Sequence, residues 1–128
     1  MTQVKWLDEP EEHDYPAAAD YLALIGAPAA VKSIVAALQK APIVDKKAKD
    51  ILRAARLPLL DKDNPHVASD LAKIAKGKAI SPVLLVRGDL HTGLALQVAD
   101  GYHRVCASYH TDENTDIPVK LVAADGSK

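Results

Sequence analysis

The fold prediction rests on one segment, residues 97–110, with the sequence QVADGYHRVCASYH. Just before and into it, aliphatic residues alternate with small or polar ones, which predicts a strand over Leu94–Val98. Asp100 and Gly101 interrupt that pattern. The residues that follow predict a helix over 102–111. The segment therefore predicts a junction at which a strand turns directly into a helix.

Two further strands are expected on either side of this junction. Pro82–Val86 is nearly all apolar, which is typical of a strand covered on both faces. Ile117–Val122 predicts a last strand, and Ile43–Val44 is a candidate for a short additional one. Because strands and helices alternate along the chain, the sequence predicts an α/β (α+β) fold with a small mixed sheet packed on helices.

Four more helices are expected, over residues 14–26, 28–40, 46–56 and 64–76. Asn64 followed by Pro65 is a strong helix start, since an N-cap side chain precedes a proline at the first helical position. Asp14 is expected to cap the first helix in the same way, after an irregular arm. Trp6 lies in that arm and is expected to hold it against the core.

Length and composition favour one domain over residues 1–128. We divide it into an acidic arm and helical extension (1–42), a core (43–122) and a tail (123–128). A single cysteine, Cys106, excludes an internal disulfide and a cysteine-based zinc cage, and its apolar neighbours predict a buried structural residue. The short apolar runs and the acidic N-terminus favour a cytoplasmic protein with no membrane contact.

Charge is distributed unevenly. The net charge of −1 lacks the overall signature of a nucleic-acid binder, so we do not expect sequence-specific DNA binding. Residues 46–78, however, hold nine bases against four acids. This segment either forms a local surface that attracts phosphate or consists of solvated helix faces.

The predicted junction carries the densest group of reactive side chains. A helix start offers unpaired backbone N–H groups and the positive end of the helix dipole. Gly101 lets a ligand approach the backbone, Arg104 offers a fork of donors, and His103 titrates near neutral pH. This arrangement predicts a phosphate site, although an exposed first turn with no ligand explains the same spacing. Asp100 either supports His103 or a phosphate-bound metal, or caps the helix.

The helix at 64–76 presents a second polar group. His66, Ser69, Asp70 and Lys73 recur at spacings that align them along one helical face. We expect this face to be turned toward the junction or toward solvent.

Three segments resemble the core of the ParB/sulfiredoxin superfamily. They are residues 80–88 (ISPVLLVRG), 97–109 (QVADGYHRVCASY) and 117–122 (IPVKLV). Members of the superfamily place a Gly-x-His-Arg or Gly-x-Arg-Arg box at a strand-to-helix junction. The resemblance covers about half of the chain, from Asn64 to Val122, and implies a nucleotide phosphate site.

The resemblance also implies which residues form that site. Gly101, His103 and Arg104 match the box outright, while Ser69 matches a serine on the preceding helix. His66 and Lys73 stand where sulfiredoxins have lysine and threonine. The implied ligand is a nucleoside triphosphate, ATP or CTP, with Mg²⁺ and without a tightly bound metal.

One position departs from the sulfiredoxin pattern. Tyr102 stands where those enzymes carry the reacting cysteine, so we expect no sulfinic-acid reductase activity and only a supporting role for this residue. We also expect a stand-alone core without a helix-turn-helix domain. Two functions remain open: nucleotide binding, with or without hydrolysis or phosphotransfer, or a catalytically inactive module that binds a protein partner through its N-terminal helices. The sequence shows no complete catalytic constellation, so it assigns no reaction.

Overall fold

The computed structural model describes residues 3–127, which form five helices and six strands. In chain order these are β1 (Lys5–Trp6), α1 (Asp14–Leu22), α2 (Pro28–Lys40), β2 (Val44–Lys47), α3 (Ala48–Ala55), α4 (Pro65–Ala75), β3 (Ala79–Ile80), β4 (Val83–Val86), β5 (Gln97–Asp100), α5 (Tyr102–Thr111) and β6 (Asp116–Val122). The expected mixed fold of helices and strands is confirmed. No helix among these residues is long and apolar enough to cross a bilayer.

Four strands form a mixed sheet in the order β2-β6-β4-β5. The two central strands, β6 and β4, run parallel, and each outer strand is antiparallel to its neighbour. β1 and β3 form a separate parallel pair, which fastens the N-terminal arm to the segment before β4. The predicted strands at 82–86 and 117–122 are therefore present with nearly the expected bounds.

Helices cover both faces of this sheet. In β4, Val83 and Leu85 pack into a core cluster with α3, α4 and α5. Leu84 and Val86 point the other way, into a cluster with α1 and α2. This explains why the whole strand is apolar, and it shows that the N-terminal helices form one layer of the core.

The predicted strand at Leu94–Val98 is wrong in its bounds. The strand paired with β4 begins at Gln97 and runs to Asp100, while Leu94 makes only an isolated bridge to Asp89. Residues 88–96 form a loop instead, held to α3 by a hydrogen bond from the Leu96 amide to the Ala54 carbonyl. The alternating aliphatic side chains at Leu94 and Leu96 belong to this loop, so the pattern did not indicate backbone pairing with a neighbouring strand.

The short strand near residue 43 is also shifted. It spans Val44–Lys47, pairs antiparallel with β6, and is exposed along its whole length. Backbone pairing at the sheet edge holds this strand, and its charged side chains suit an edge position. Because the strand extends to Lys47, α3 starts at Ala48, two residues later than predicted.

The N-terminal arm differs from the prediction in two respects. It contains β1, in which Trp6 packs against the core as expected. Asp14 does not cap α1: the N-cap position is His13, and Asp14 is the first helical residue and is buried. The helix ends at Leu22, short of the predicted Gly26.

The two helices that bear the candidate residues follow the prediction closely. α5 has the predicted bounds, and α4 differs by one residue at each end. The Asn64 side chain accepts hydrogen bonds from the amides of His66, at 3.0 Å, and Val67, at 3.3 Å. The start of α4 is therefore set by a local side-chain cap.

We predict that Asn64→Ala lowers the free energy of unfolding by about 1 kcal/mol, because two α4 amides lose their acceptor. Urea denaturation measures this loss, and Asn64→Asp, which keeps a capping oxygen, serves as the matched control. An unchanged denaturation midpoint in the alanine variant would contradict the role assigned to the cap.

Candidate functional site

A cleft of about 480 Å³ lies between α4, the start of α5, β3 and the N-terminal arm. It brings together all six residues that the sequence singled out as phosphate ligands: His66, Ser69, Lys73, Gly101, His103 and Arg104. Asp100 also lines it. The remaining lining residues are Glu11, His13, Asp70, Lys78, Ala79, Ile80 and Ser81.

The start of α5 faces this cleft with its first amides uncapped. Gly101 occupies the N-cap position at φ 111° and makes no side-chain cap, whereas α4 is capped by Asn64. The suggestion that Asp100 caps α5 is wrong, because its carboxylate accepts a hydrogen bond from Arg104. The first-turn amides and the helix dipole are therefore directed toward the cleft without a side-chain acceptor.

Arg104 lies between two carboxylates. Its Nη2 donates to Asp100 Oδ2 at 2.7 Å, and its Nη1 lies 3.7 Å from Asp14 Oδ2. The side chain is only 15% exposed. Its Nε is buried and has no hydrogen-bond partner among residues 3–127. The guanidinium is thus mainly held by the protein itself, with one donor position left over.

Asp14 connects the N-terminal arm to this cluster. Its carboxylate accepts a hydrogen bond from the Ser81 hydroxyl, and Ser81 Oγ in turn accepts the Glu11 amide at 3.1 Å. His13 Nε2 lies 3.3 Å from the other oxygen of Asp14. The sequence analysis missed Asp14 and Ser81, because they lie 67 residues apart and Asp14 resembles an ordinary helix cap.

Two carboxylates of the cleft, Asp70 and Asp100, are harder to ionise than usual. Burial raises the pKa of Asp100, and nearby Asp14 raises it further, against the opposing effect of Arg104. Burial also raises the pKa of Asp70, while Lys73 and the other neighbouring cations act to lower it. Negative charge in the cleft is therefore disfavoured where no cation compensates it.

Two histidines meet across the cleft. The ring centroids of His66 on α4 and His103 on α5 lie 4.7 Å apart, with the rings tilted by 47°. Burial lowers the pKa of His103, and His66 and Arg104 lower it further, while Asp70 raises it. His103 is consequently a mostly neutral imidazole at pH 7 that can accept a proton.

Other arrangements in the site do not form a nucleophile. The Ser81 hydroxyl donates to Asp14 and is buried, so Ser81, His13 and Asp14 lack the serine-to-histidine contact of a hydrolase triad. Cys106 is fully buried, as predicted, and burial raises its pKa. The Tyr102 hydroxyl donates to the Pro58 carbonyl at 2.6 Å. Tyr102 does not line the cleft.

Comparisons with protein-family models, with curated proteins and with solved structures find no match to this chain.

We predict that Gly101→Ala destabilises the protein by about 1–3 kcal/mol, because a Cβ there would lie 2.8 Å from both Val83 Cγ2 and Arg104 Nη2. Gly93→Ala is the matched control, since Gly93 also has a positive φ but has no atom within 4 Å of an added Cβ. Equal losses for the two variants in urea denaturation would show that backbone strain alone is responsible.

We predict that His103 titrates below its usual pKa of 6.5. The folded protein then takes up this proton less readily than the unfolded chain, so His103 makes the free energy of unfolding fall as pH drops from 6.5 through the folded-state pKa. NMR titration of the ring protons measures this pKa directly. Asp70→Asn should lower the pKa further and His66→Gln should raise it; a midpoint above 6.5 would contradict the assignment.

Proposed function

We propose that this protein binds a nucleoside triphosphate, ATP or CTP, by its phosphates in the cleft between α4 and α5. One observation carries the proposal: the uncapped first turn of α5 faces the same cleft as the polar side of α4. Helix N-termini favour phosphate because amide donors and the helix dipole act on it together. His66, Ser69 and Lys73 add donors from the opposite wall.

The charges at the mouth of the cleft support the same ligand. Asp100 is already paired with Arg104, and Asp70 lies 3.9 Å from Lys73. Lys78 lines the cleft and has no carboxylate within 4 Å among residues 3–127. Glu11, the remaining acid that lines the cleft, lies 3.5 Å from His13. The lysine ammonium groups and the uncapped amides of α5 are therefore the groups that would attract an anion.

The size of the cleft and its donor set suit a nucleotide that carries its own metal. A volume of about 480 Å³ falls within the range of roughly 300–1,000 Å³ typical of small-molecule sites. Among the described residues, no three His, Cys, Asp or Glu side chains come together as a metal cage. Mg²⁺ would then be held chiefly by the phosphates and water, as it is in many nucleotide sites, and Asp70 or Glu11 of the cleft lining could add a carboxylate ligand.

The resemblance to the ParB/sulfiredoxin superfamily supports phosphate binding but not the sulfiredoxin reaction. The position of the reacting cysteine is held by Tyr102, whose hydroxyl is bonded to Pro58 outside the cleft. Cys106, a helical turn away, is buried with a raised pKa and cannot supply an accessible thiolate. We therefore propose that the protein does not reduce sulfinic acids. A nucleotide ligand also agrees with a cytoplasmic location, which we propose.

If a bound triphosphate reacts here, the reaction is hydrolysis or phosphotransfer. In hydrolysis, water attacks the terminal phosphorus, the bond to the bridging oxygen breaks, and a base accepts the proton of the water. His103 is the side chain suited to accept it, because its lowered pKa leaves it mostly neutral at pH 7. The wall of α4 would hold the phosphates while this happens.

We predict that Lys73→Gln weakens nucleotide binding about tenfold, since loss of a charged hydrogen bond costs about 1.5 kcal/mol. Lys76→Gln is the matched control, because Lys76 lies at the end of the same helix but does not line the cleft. Titration calorimetry with ATP, CTP and pyrophosphate, each with and without Mg²⁺, measures the effect.

Two results would contradict the proposal: no binding of any of these ligands below millimolar concentration, or equal binding by the Lys73 and Lys76 variants. The first would favour a module that binds protein partners instead. Arg104→Ala is a poor test of binding, because it removes the cation that pairs with Asp14 and Asp100 and so changes the site itself.

A further inference from the structure

A second groove shares no lining residue with the cleft between α4 and α5. It consists of two adjoining parts that have Arg87 and Leu94 in common. The apolar part, about 250 Å³, lies between α2 with the turn that precedes it and the end of the 88–96 loop. The basic part, about 600 Å³, lies between the same loop and the end of α3. We call the two together the arginine–aliphatic groove.

The basic part carries more positive than negative charge. Arg53, Arg56 and Arg87 line it, and Asp89 is the one acid that does. Arg53 lies 3.3 Å from Asp50, but both side chains are largely exposed, so this pair is weak. Arg56 and Arg87 have no carboxylate within 4 Å among residues 3–127. This part of the groove therefore favours a negatively charged occupant.

The apolar part is bordered by aliphatic side chains that face solvent. Ile25 is 60% exposed and Leu94 52%, and both line this part. Leu90, which lines the adjoining basic part, is fully exposed. Val31 and Ile34 of α2 form its floor. Exposed aliphatic residues around an apolar hollow, next to arginines, are typical of surfaces that bind proteins.

The groove is built on a defined backbone. An alanine at Gly88 would collide with the carbonyl oxygen of Leu94, which shows how closely the two ends of the loop approach. A bridge between Asp89 and Leu94 closes the loop. Arg56 ends α3 in the left-handed conformation, at φ 56°. Little reorganisation is therefore needed before a partner can dock.

We infer that the arginine–aliphatic groove docks an acidic segment of a partner protein. An aliphatic side chain of that segment enters the apolar part, and its neighbouring carboxylates pair with Arg53, Arg56 and Arg87. Charge complementarity identifies the partner as acidic, and the enclosed apolar hollow requires a side chain that can enter it. No Phe, Tyr or Trp side chain lines either part, which disfavours a single-stranded nucleic acid that would stack its bases.

Selection from a phage-displayed library of dodecapeptides tests this inference on the intact protein. We expect the enriched peptides to combine an aliphatic residue with neighbouring aspartates or glutamates. The best of them, labelled with fluorescein, should bind the wild type in a polarisation assay. Its affinity should fall at least tenfold in a triple variant that combines Arg53→Gln, Arg56→Gln and Arg87→Gln. The same loss is expected in the single variant Ile25→Asp.

The variant Lys46→Gln, Lys47→Gln, Lys49→Gln is the matched control, because it removes the same charge from residues that do not line the groove. It should bind the peptide like the wild type. All the substituted side chains are exposed, so the thermal unfolding of each variant should stay close to that of the wild type.

Three results would overturn the inference. The first is that no peptide is enriched or that the enriched peptides lack acids, and the second is equal binding by the arginine and lysine variants. The third is arginine-dependent sedimentation with vesicles of phosphatidylcholine and phosphatidylserine in a three-to-one ratio without peptide binding, which would assign the groove to a lipid surface. None of these results bears on nucleotide binding in the other cleft.

Discussion

The guanidinium of Arg104 joins the N-terminal part of the chain to the junction between β5 and α5. It pairs with Asp14 at the start of α1 and with Asp100 at the end of β5, while its own backbone lies in the first turn of α5. It also lies against Gly101, where any side chain would collide with it. Asp14 is 2% exposed and Asp100 is partly buried, and the guanidinium between them pairs with both, so this arginine helps to fix how the arm meets the start of α5.

The position of the cleft follows from that arrangement. Because Asp14 and Ser81 hold the arm against the segment before β4, the arm forms one wall of the cleft, opposite α4. Arg104 satisfies Asp100, so that carboxylate does not fold back to cap α5. The first-turn amides of α5 therefore stay directed into the cleft, where a phosphate can accept their hydrogen bonds.

A second buried cation fastens the N-terminal part of the chain. Lys120 of β6 is 2% exposed, and its Nζ donates to the Gln39 carbonyl at 2.9 Å. The same ammonium lies 3.8 Å from Glu9 and 5.8 Å from the centroid of the Tyr15 ring. The arm, α1 and α2 are thus held by the buried Lys120 and the partly buried Arg104, besides the apolar contacts that cover the sheet. This explains how a segment without recognisable motifs becomes one layer of the core.

Local signals predicted α4 and α5 well, because an Asn-Pro start and an Asp-Gly break act over a few residues. The polar face of α4 and the box at Gly101 likewise led to the cleft from sequence alone. The strand β5 was misplaced, since alternation in the 88–96 loop looks like a ladder. Asp14 and Ser81 could not be found, because nothing near either residue shows that they bond across 67 positions.

The central claim is that the first turn of α5 binds phosphate. Titration of the ¹⁵N-labelled protein with pyrophosphate, followed through its backbone amide NMR signals, tests it directly. The account predicts that the largest shifts occur at the amides of Gly101, Tyr102 and His103, with smaller ones on the facing side of α4. Unchanged amide signals at Gly101–His103 up to millimolar pyrophosphate, or shifts confined to the loop after Arg87, would contradict it.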